Sequence, residues 1–193
     1  MGSIGSVCVY CGSKTGASPV HRAAAQRLGA LLAQSGLTLV YGGGSIGLMA
    51  AAADAVLAAG GKAVGVIPRF LERMEVAHTG LTELHLVDTM AERKQKMAEL
   101  ADAFVVLAGG LGTLDETIEA ITLRQLGVHD KPIVIVDLAG YWRPLHDLFA
   151  AVIANGFANR DVLRLFTFVP SVEDAVAMLA TPAPATRGRT KLG

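Results

Sequence analysis

Short apolar segments alternate with helix-forming segments along almost the whole chain. The apolar segments are continuous, as in 133–136, rather than alternating in polarity, which predicts strands covered on both faces. Strands are predicted at about 6–10, 37–41, 62–67, 82–87, 103–107, 132–137 and 165–169. Helices are predicted at about 19–34, 46–59, 90–101, 114–126, 142–154 and 171–180. This order favours an α/β fold: a single-domain, doubly wound parallel sheet of the Rossmann-like kind, with helices on both faces.

The composition is that of a packed globular protein. Hydrophobic residues make up 52% and charged residues 18% of 193, so we expect one nucleotide-binding α/β domain over 1–180 and a flexible tail over 181–193. With 17 basic and 17 acidic residues the net charge is zero, so we expect neither a nucleic-acid partner nor a membrane partner. No signal-peptide pattern is visible, so the expected location is the cytoplasm.

Two glycine-rich turns each follow a predicted strand and open a predicted helix. The first covers 41–47; the second covers 108–113 and leads to Asp115 and Glu116. Such a turn directs free backbone N–H groups and the positive end of a helix dipole at one point, which attracts phosphate. Both turns, and the loop 11–14, are expected at the carboxyl edge of the sheet, where ligands bind. The pattern predicts a phosphorylated substrate held beside a carboxylate.

Two charged residues could carry chemistry near these turns. Thr113 and Glu116 have the spacing of a capping box, in which both side chains bind helix N–H groups, and this interpretation stays open beside a role for Glu116 in the site. Arg93 shares a helix face with Met90 and Met97, so it is expected to face inward. An inward arginine needs a partner, either Glu116 or the substrate.

Other candidate residues have weaker patterns. Cys8 and Cys11 form a C-x-x-C, but Cys8 lies within a strand, so both are expected to be structural. Glu75, in the long loop 68–80, is either a ligand contact or a solvated loop charge. The histidines lack metal-ligand spacing, and neither a metal nor a cofactor is expected.

The order of these motifs resembles the LONELY GUY family of cytokinin riboside 5′-monophosphate phosphoribohydrolases, formerly described as lysine decarboxylase-like. The resemblance spans about residues 5–180. It is carried by segments 11–13, 41–49, 109–113 and 125–132, and by Met90, Arg93, Lys94, Met97 and Glu116. Three positions depart from the family pattern. Ala108 replaces a proline, Leu111 a common aromatic residue and Leu123 a common tryptophan, and the two leucines are expected to reshape the base pocket.

The resemblance implies hydrolysis of the bond between an adenine-type base and ribose 5-phosphate. Arg93 and Glu116 would be catalytic, with Glu116 stabilising the developing positive charge on ribose and activating water, and Arg93 orienting Glu116. The resemblance also implies a homodimer with active sites near its interface. The implied substrate-binding residues are Ser13, Gly43, Gly44, Glu75, Met90, Lys94, Gly109, Gly110, Leu111, Gly112 and Thr113.

Three other functions are compatible with parts of the sequence pattern. A carrier of a nucleotide-like cofactor, similar to molybdenum-cofactor carrier proteins, would need the phosphate site but not both Arg93 and Glu116. Lysine decarboxylation would need a lysine placed to hold pyridoxal phosphate, and the sequence offers none. A dinucleotide-dependent oxidoreductase is disfavoured, because the strand after the first glycine turn does not end in an acidic residue.

Overall fold

The computed structural model describes residues 4–72 and 77–180. Within them the strands are β1 (Ser6–Tyr10), β2 (Thr38–Tyr41), β3 (Ala63–Pro68), β4 (Glu83–Val87), β5 (Ala103–Val106), β6 (Ile133–Val136) and β7 (Thr167–Val169). The helices are α1 (Pro19–Gln34), α2 (Gly47–Ala58), α3 (Arg69–Glu72), α4 (Met90–Leu100), α5 (Leu111–Gln125), α6 (Arg143–Ala154) and α7 (Val172–Ala180). The 3₁₀ turns Leu138–Gly140 and Arg160–Arg164 complete the order. Glu75 and the expected tail lie outside the described residues.

The strands form one sheet in the order β4-β3-β2-β1-β5-β6-β7, and the strand pairs are parallel. The predicted α/β fold is therefore confirmed. Strand order reverses between β1 and β5, because β2, β3 and β4 extend to one side of β1 while β5, β6 and β7 extend to the other. In open parallel sheets the crevice at such a switch point is where ligands bind.

Helices bury the sheet from both sides. On one face α1, α2 and α7 pack against inward residues of β1 and β2 such as Val7, Val9 and Leu39. On the other face α4, α5 and α6 pack against Cys8, Tyr10 and other residues of the same strands. Neighbouring residues of one strand thus enter different cores, which is why the strands are continuous apolar runs.

Local signals in the sequence account for several helix starts. Pro19 occupies the first turn of α1. Ser171 caps α7: its hydroxyl accepts the Asp174 N–H at 3.1 Å. At α4, Thr89 Oγ1 accepts the Glu92 N–H at 3.1 Å and Glu92 Oε2 accepts the Asp88 N–H at 2.9 Å. Within residues 4–72 and 77–180, no helix has the length and apolarity to span a membrane.

Candidate active site

A cleft opens at the switch point, between the carboxyl ends of β1, β2 and β5 and the first turns of α4 and α5. It brings together most of the residues that the sequence singles out. Its lining consists of Val9, Cys11, Gly12, Ser13, Gly42, Met49, Met90, Arg93, Met97, Gly110, Leu111, Gly112, Thr113 and Glu116.

Arg93 enters the cleft from α4 and is 5% exposed. Its Nε donates to the Val66 carbonyl at 3.1 Å and its Nη2 donates to the Gly42 carbonyl at 2.7 Å. Val66 lies within β3 and Gly42 directly follows β2, so the guanidinium contacts two neighbouring strands. The predicted inward orientation of Arg93 is confirmed, and backbone carbonyls are among its partners, which the sequence did not reveal.

Glu116 lines the same cleft from α5 and is 9% exposed. The capping-box interpretation is wrong, because α5 begins at Leu111 and its N-cap is Gly110, without a side-chain cap. The Leu114 N–H already bonds to the Gly110 carbonyl at 3.0 Å, so the helix starts three residues before the predicted position. Thr113 and Glu116 are thus within the helix, and both side chains are buried on its inner face.

The first turn of α5 faces open space. A Cβ placed on Gly110 or Gly112 would meet no atom within 4 Å. Gly109 is crowded instead: a Cβ there would lie 2.0 Å from Thr113 Oγ1 and 2.9 Å from the Gly12 nitrogen. Because Gly109 is closely packed and the space beside Gly110 and Gly112 is open, this helix N-terminus is accessible to an anion.

The first glycine turn is closed by the chain itself. The Leu48 N–H, in the first turn of α2, donates to the Gly12 carbonyl at 2.9 Å, and a Cβ on Gly47 would lie 2.3 Å from the carbonyl carbon of Ser13. The loop after β1 therefore occupies the N-terminus of α2. The prediction of a phosphate site at the first turn conflicts with this packing, and phosphate binding at the second turn stays a prediction.

Gly43 and Gly44 do not line the cleft. Gly43 is in a left-handed conformation at φ +74, and its carbonyl accepts the His78 N–H at 3.0 Å, while Gly44 forms an antiparallel bridge with Ala77. His78 is also fixed to α2, since its Nε2 lies 2.9 Å from Asp54 Oδ1. These two glycines hold the chain segment that begins at Ala77.

Lys94 is directed at α5 rather than into the cleft. Its ammonium pairs with Asp115 Oδ2 at 2.9 Å and with Glu119 Oε2, and its side chain is only 15% exposed. The hydrogen bond to Glu119 raises the pKa of Lys94, burial lowers it, and the bond to Asp115 raises it again, with a net upward shift. Lys94 thus stays protonated and connects α4 to α5.

Cys8 and Cys11 are free thiols buried in cores on opposite faces of the sheet. Burial raises the pKa of both thiols, and the negative charge of Glu116 raises each pKa further, whereas the Arg93 charge opposes the shift. Neutral, separated thiols do not form a redox pair. The structural assignment of both cysteines is confirmed, and Cys11 also forms part of the cleft wall.

The predicted binding residues divide into three groups. The cleft lining includes Ser13, Met90, Gly110, Leu111, Gly112 and Thr113. Gly109 belongs to the same turn but lines the neighbouring cavity. Lys94 pairs with carboxylates of α5, and Gly43 and Gly44 bond to the segment that begins at Ala77. Glu75 is outside the described residues. Leu123 lies twelve residues along α5 from Leu111 and does not reach this lining, so of the two atypical leucines only Leu111, 85% exposed, is at the cleft.

The sequence placed the segments 11–14 and 41–47 at the ligand-binding edge but did not single out Val9, Met49 or Met97 as wall residues of the cleft. Strand order would have pointed to Val9, because β1 lies at the switch point. Within 4–72 and 77–180, no group of three or more His, Cys, Asp or Glu side chains could hold a metal ion.

Comparisons with known proteins identify the family of this chain. Residues 49–179 match a family model described as "Possible lysine decarboxylase". The chain is 42% identical over 178 residues to the cytokinin riboside 5′-monophosphate phosphoribohydrolase of Rhodococcoides fascians, an alignment that covers 92% of this chain and 90% of that protein. The chain belongs to this phosphoribohydrolase family. The resemblance to the LONELY GUY family is thereby confirmed.

Another member of the phosphoribohydrolase family is the enzyme named LOG from Oryza sativa subsp. japonica. It is 40% identical over 178 residues, which are 92% of this chain and 74% of the rice protein. Among solved structures, the molybdenum cofactor carrier protein of Chlamydomonas reinhardtii superposes with a TM-score of 0.70 at 23% identity, covering 91% of this chain and 95% of that one. At that identity the likeness supports the fold alone.

Proposed function

We propose that the protein hydrolyses the N-glycosidic bond of adenine-type nucleoside 5′-monophosphates, including N6-modified ones, to release the free base and ribose 5-phosphate. One observation carries the proposal: a buried arginine and a buried glutamate line the same cleft as an open helix N-terminus. The names of the relatives in Rhodococcoides fascians and rice support the same reaction.

The phosphate would bind at the first turn of α5. Gly110 and Gly112 leave room for it, and the backbone N–H groups of this turn, together with the helix dipole, favour an anion. Ser13 and Thr113, which line the same cleft, can supply hydroxyl hydrogen bonds. Leu111, which is exposed at the rim, would contact the sugar or the base.

Glu116 and Arg93 would act on the ribose. The glycosidic bond breaks through a transition state with oxocarbenium character, which a carboxylate stabilises. Glu116 would stabilise that charge and take a proton from the attacking water, so that the water oxygen bonds to the anomeric carbon. The bond from that carbon to the base nitrogen breaks, and the base leaves with the bonding electron pair and takes up a proton from solvent. Arg93, fixed by the Gly42 and Val66 carbonyls, would provide the positive charge that orients Glu116.

The direct test incubates the purified protein with AMP and, separately, with isopentenyladenosine monophosphate, and follows the free base by chromatography. We expect base release, and the Glu116→Gln variant should lower kcat by about 10²–10⁴-fold, the usual range for a positioned acid–base group. The rate ratio of the two substrates identifies the preferred base. Nucleotide binding without base release by the wild type would contradict the proposal and favour a carrier.

Of the alternatives, the carrier rests on the shared fold alone, and a carrier would not require the Arg93–Glu116 arrangement. Lysine decarboxylation lacks its nucleophile: among the described residues that line the cleft there is no lysine, and the ammonium of Lys94 is held by two carboxylates. A lysine that forms a Schiff base with pyridoxal phosphate must be free to lose its proton, which this ion pairing opposes.

We further propose that two copies associate through α5. This helix and the residues after it expose large apolar side chains, namely Leu111, Ile118, Leu126 and Val128, and Leu111 also lines the cleft. Exposed apolar patches of this kind are typical of interfaces. Light scattering after gel filtration should give the mass of a dimer, and an Ile118→Glu variant should give a monomer.

A cytoplasmic location is also proposed, and cell fractionation would check it.

A further inference from the structure

The segment after β6 folds back against the second glycine turn. β6 is the neighbour of β5, so the residues that follow it leave the sheet beside 108–112. Asp137 Oδ1 accepts the Trp142 N–H at 2.7 Å and closes this segment into a compact loop. Within it Ala139 has φ +56 and Gly140 has φ +73. A non-glycine residue in the left-handed region is strained, and such strain is found where a side chain must be placed accurately.

The residue that this loop places is Tyr141. Its Oη donates to the Gly109 carbonyl at 2.5 Å. Its ring is held edge-on by His21, with ring centroids 5.3 Å apart, and by Trp142, with centroids 4.9 Å apart. The hydroxyl is therefore fixed on the glycine turn by packing on two sides.

Tyr141 contacts the turn from a cavity next to the cleft. It lines this cavity together with the loop after β1, and it is not part of the cleft lining. Gly12, Ser13 and Gly110 line both spaces, so the cavity and the cleft adjoin at this turn.

This placement fixes the orientation of one peptide group. The Gly109–Gly110 peptide is trans, and in a trans peptide the C=O and the N–H point in opposite directions. With the Gly109 carbonyl directed at Tyr141, the Gly110 N–H points away from Tyr141, and Gly110 itself lines the cleft. Without that bond the peptide would be less restrained, because neither glycine has a side chain to fix its orientation.

We infer that Tyr141 is a positioning residue for phosphate binding: by holding the Gly109 carbonyl it presents the Gly110 N–H to the phosphate of the substrate. The inference rests on the proposed function, since it assigns the phosphate to this turn. It predicts that the Tyr141 hydroxyl affects affinity for the phosphorylated sugar and not the bond-breaking step.

The test compares Tyr141→Phe with wild type. Phenylalanine keeps the ring contacts to His21 and Trp142 and removes only the hydroxyl. Tyr41→Phe is the matched control, because the buried Tyr41 hydroxyl has no hydrogen-bond partner among the described residues. Each protein is titrated with ribose 5-phosphate by calorimetry, and kcat and KM are measured with AMP. Thermal unfolding shows that each variant is folded.

Tyr141→Phe should weaken ribose 5-phosphate binding and raise KM by about five- to tenfold, the effect of one lost hydrogen bond, with kcat within about twofold of wild type. Tyr41→Phe should match wild type. Unchanged ribose 5-phosphate affinity in folded Tyr141→Phe would overturn the inference, as would a fall in kcat alone. If wild type binds ribose 5-phosphate in this Tyr141-dependent way but does not cleave AMP, the proposed reaction fails and the role of Tyr141 stands. If wild type does not bind ribose 5-phosphate, the assignment of phosphate to this turn fails with it.

Discussion

Gly42 lies where the guanidinium of Arg93 packs against the backbone. A Cβ at this position would be 2.0 Å from Arg93 Nη2, so a Gly42→Ala variant must displace the arginine. We expect kcat/KM for AMP to fall about 10²-fold, since a displacement of about 1 Å in a catalytic group has this effect. Steady-state kinetics measures it. The control is Gly5→Ala, where the nearest atom to the new Cβ would be Asp102 Oδ2 at 3.6 Å. Equal activity of the two variants would contradict a role for the Arg93 position.

At the scale of residues, the sequence identified charged groups better than their surroundings. Arg93 and Glu116 could be selected because charges on inward helix faces are costly unless partnered. The partners that hold Arg93 are backbone carbonyls of Val66 and Gly42, and a backbone carbonyl leaves no signature in the sequence. The sequence also did not show that the first glycine turn is filled by the chain while the second is open, because this depends on the path of the loop after β1.

At the scale of elements, Lys94 connects the two helices that carry Arg93 and Glu116. Asp115 and Glu119 lie on either side of Glu116 along α5, so their pairing with Lys94 sets how α5 sits against α4. A Lys94→Met variant should lower kcat/KM for AMP about tenfold, which corresponds to about 1.4 kcal/mol of transition-state stabilisation. The unfolding free energy should fall by only about 0.5–1 kcal/mol, because both carboxylates are partly exposed.

A matched control and an exchange of charges make this test specific. Lys96→Met removes a lysine from the opposite side of α4 and should leave the kinetics unchanged. Combining Lys94→Glu with Glu119→Lys restores an ion pair and should recover part of the activity lost in Lys94→Glu. If the double variant is no better than the single one, the two helices are not held in place by this pair, and a direct contact of Lys94 with substrate would explain the loss instead.

The elements themselves were largely predictable. Strand and helix positions in the sequence agree with the structure to within a few residues, because continuous apolar runs and helix-start signals are local properties. The start of α5 was placed three residues late, because Gly110-Leu111-Gly112 reads as a turn until the Leu114 N–H is seen to bond to Gly110. The short helix α3 and the loop before α6 gave no periodic signal.

At the scale of the whole molecule, the two central strands that flank the switch point are joined at the sheet edge opposite the cleft. Asp102, just before β5, accepts hydrogen bonds through Oδ2 from the Gly5 N–H at 2.9 Å, the Ser6 N–H at 3.0 Å and the Ser6 hydroxyl at 2.9 Å. The same Ser6 residue accepts the Asp102 N–H at 3.0 Å. This small network ties the start of β1 to the start of β5, far from the chemistry.

The network gives the fold a pH-dependent contribution with a definite sign. Partial burial raises the pKa of Asp102, but the hydrogen bonds from Gly5 and Ser6 lower it more, so its net pKa is below the ordinary value of 3.8. The ionised carboxylate therefore favours the folded chain: its contribution is complete above about pH 4 and disappears as the pH falls through the lowered pKa.

Asp102→Asn should reduce the unfolding free energy by about 0.5–1 kcal/mol at pH 7, a value lowered for solvent screening of this exposed group. Urea unfolding at pH 7 and near pH 2.5 measures the difference, which should shrink at the lower pH while kcat/KM at neutral pH stays unchanged. If wild type and Asp102→Asn differ in unfolding free energy by the same amount at both pH values, the negative charge of Asp102 does not contribute to the stability of this strand pair.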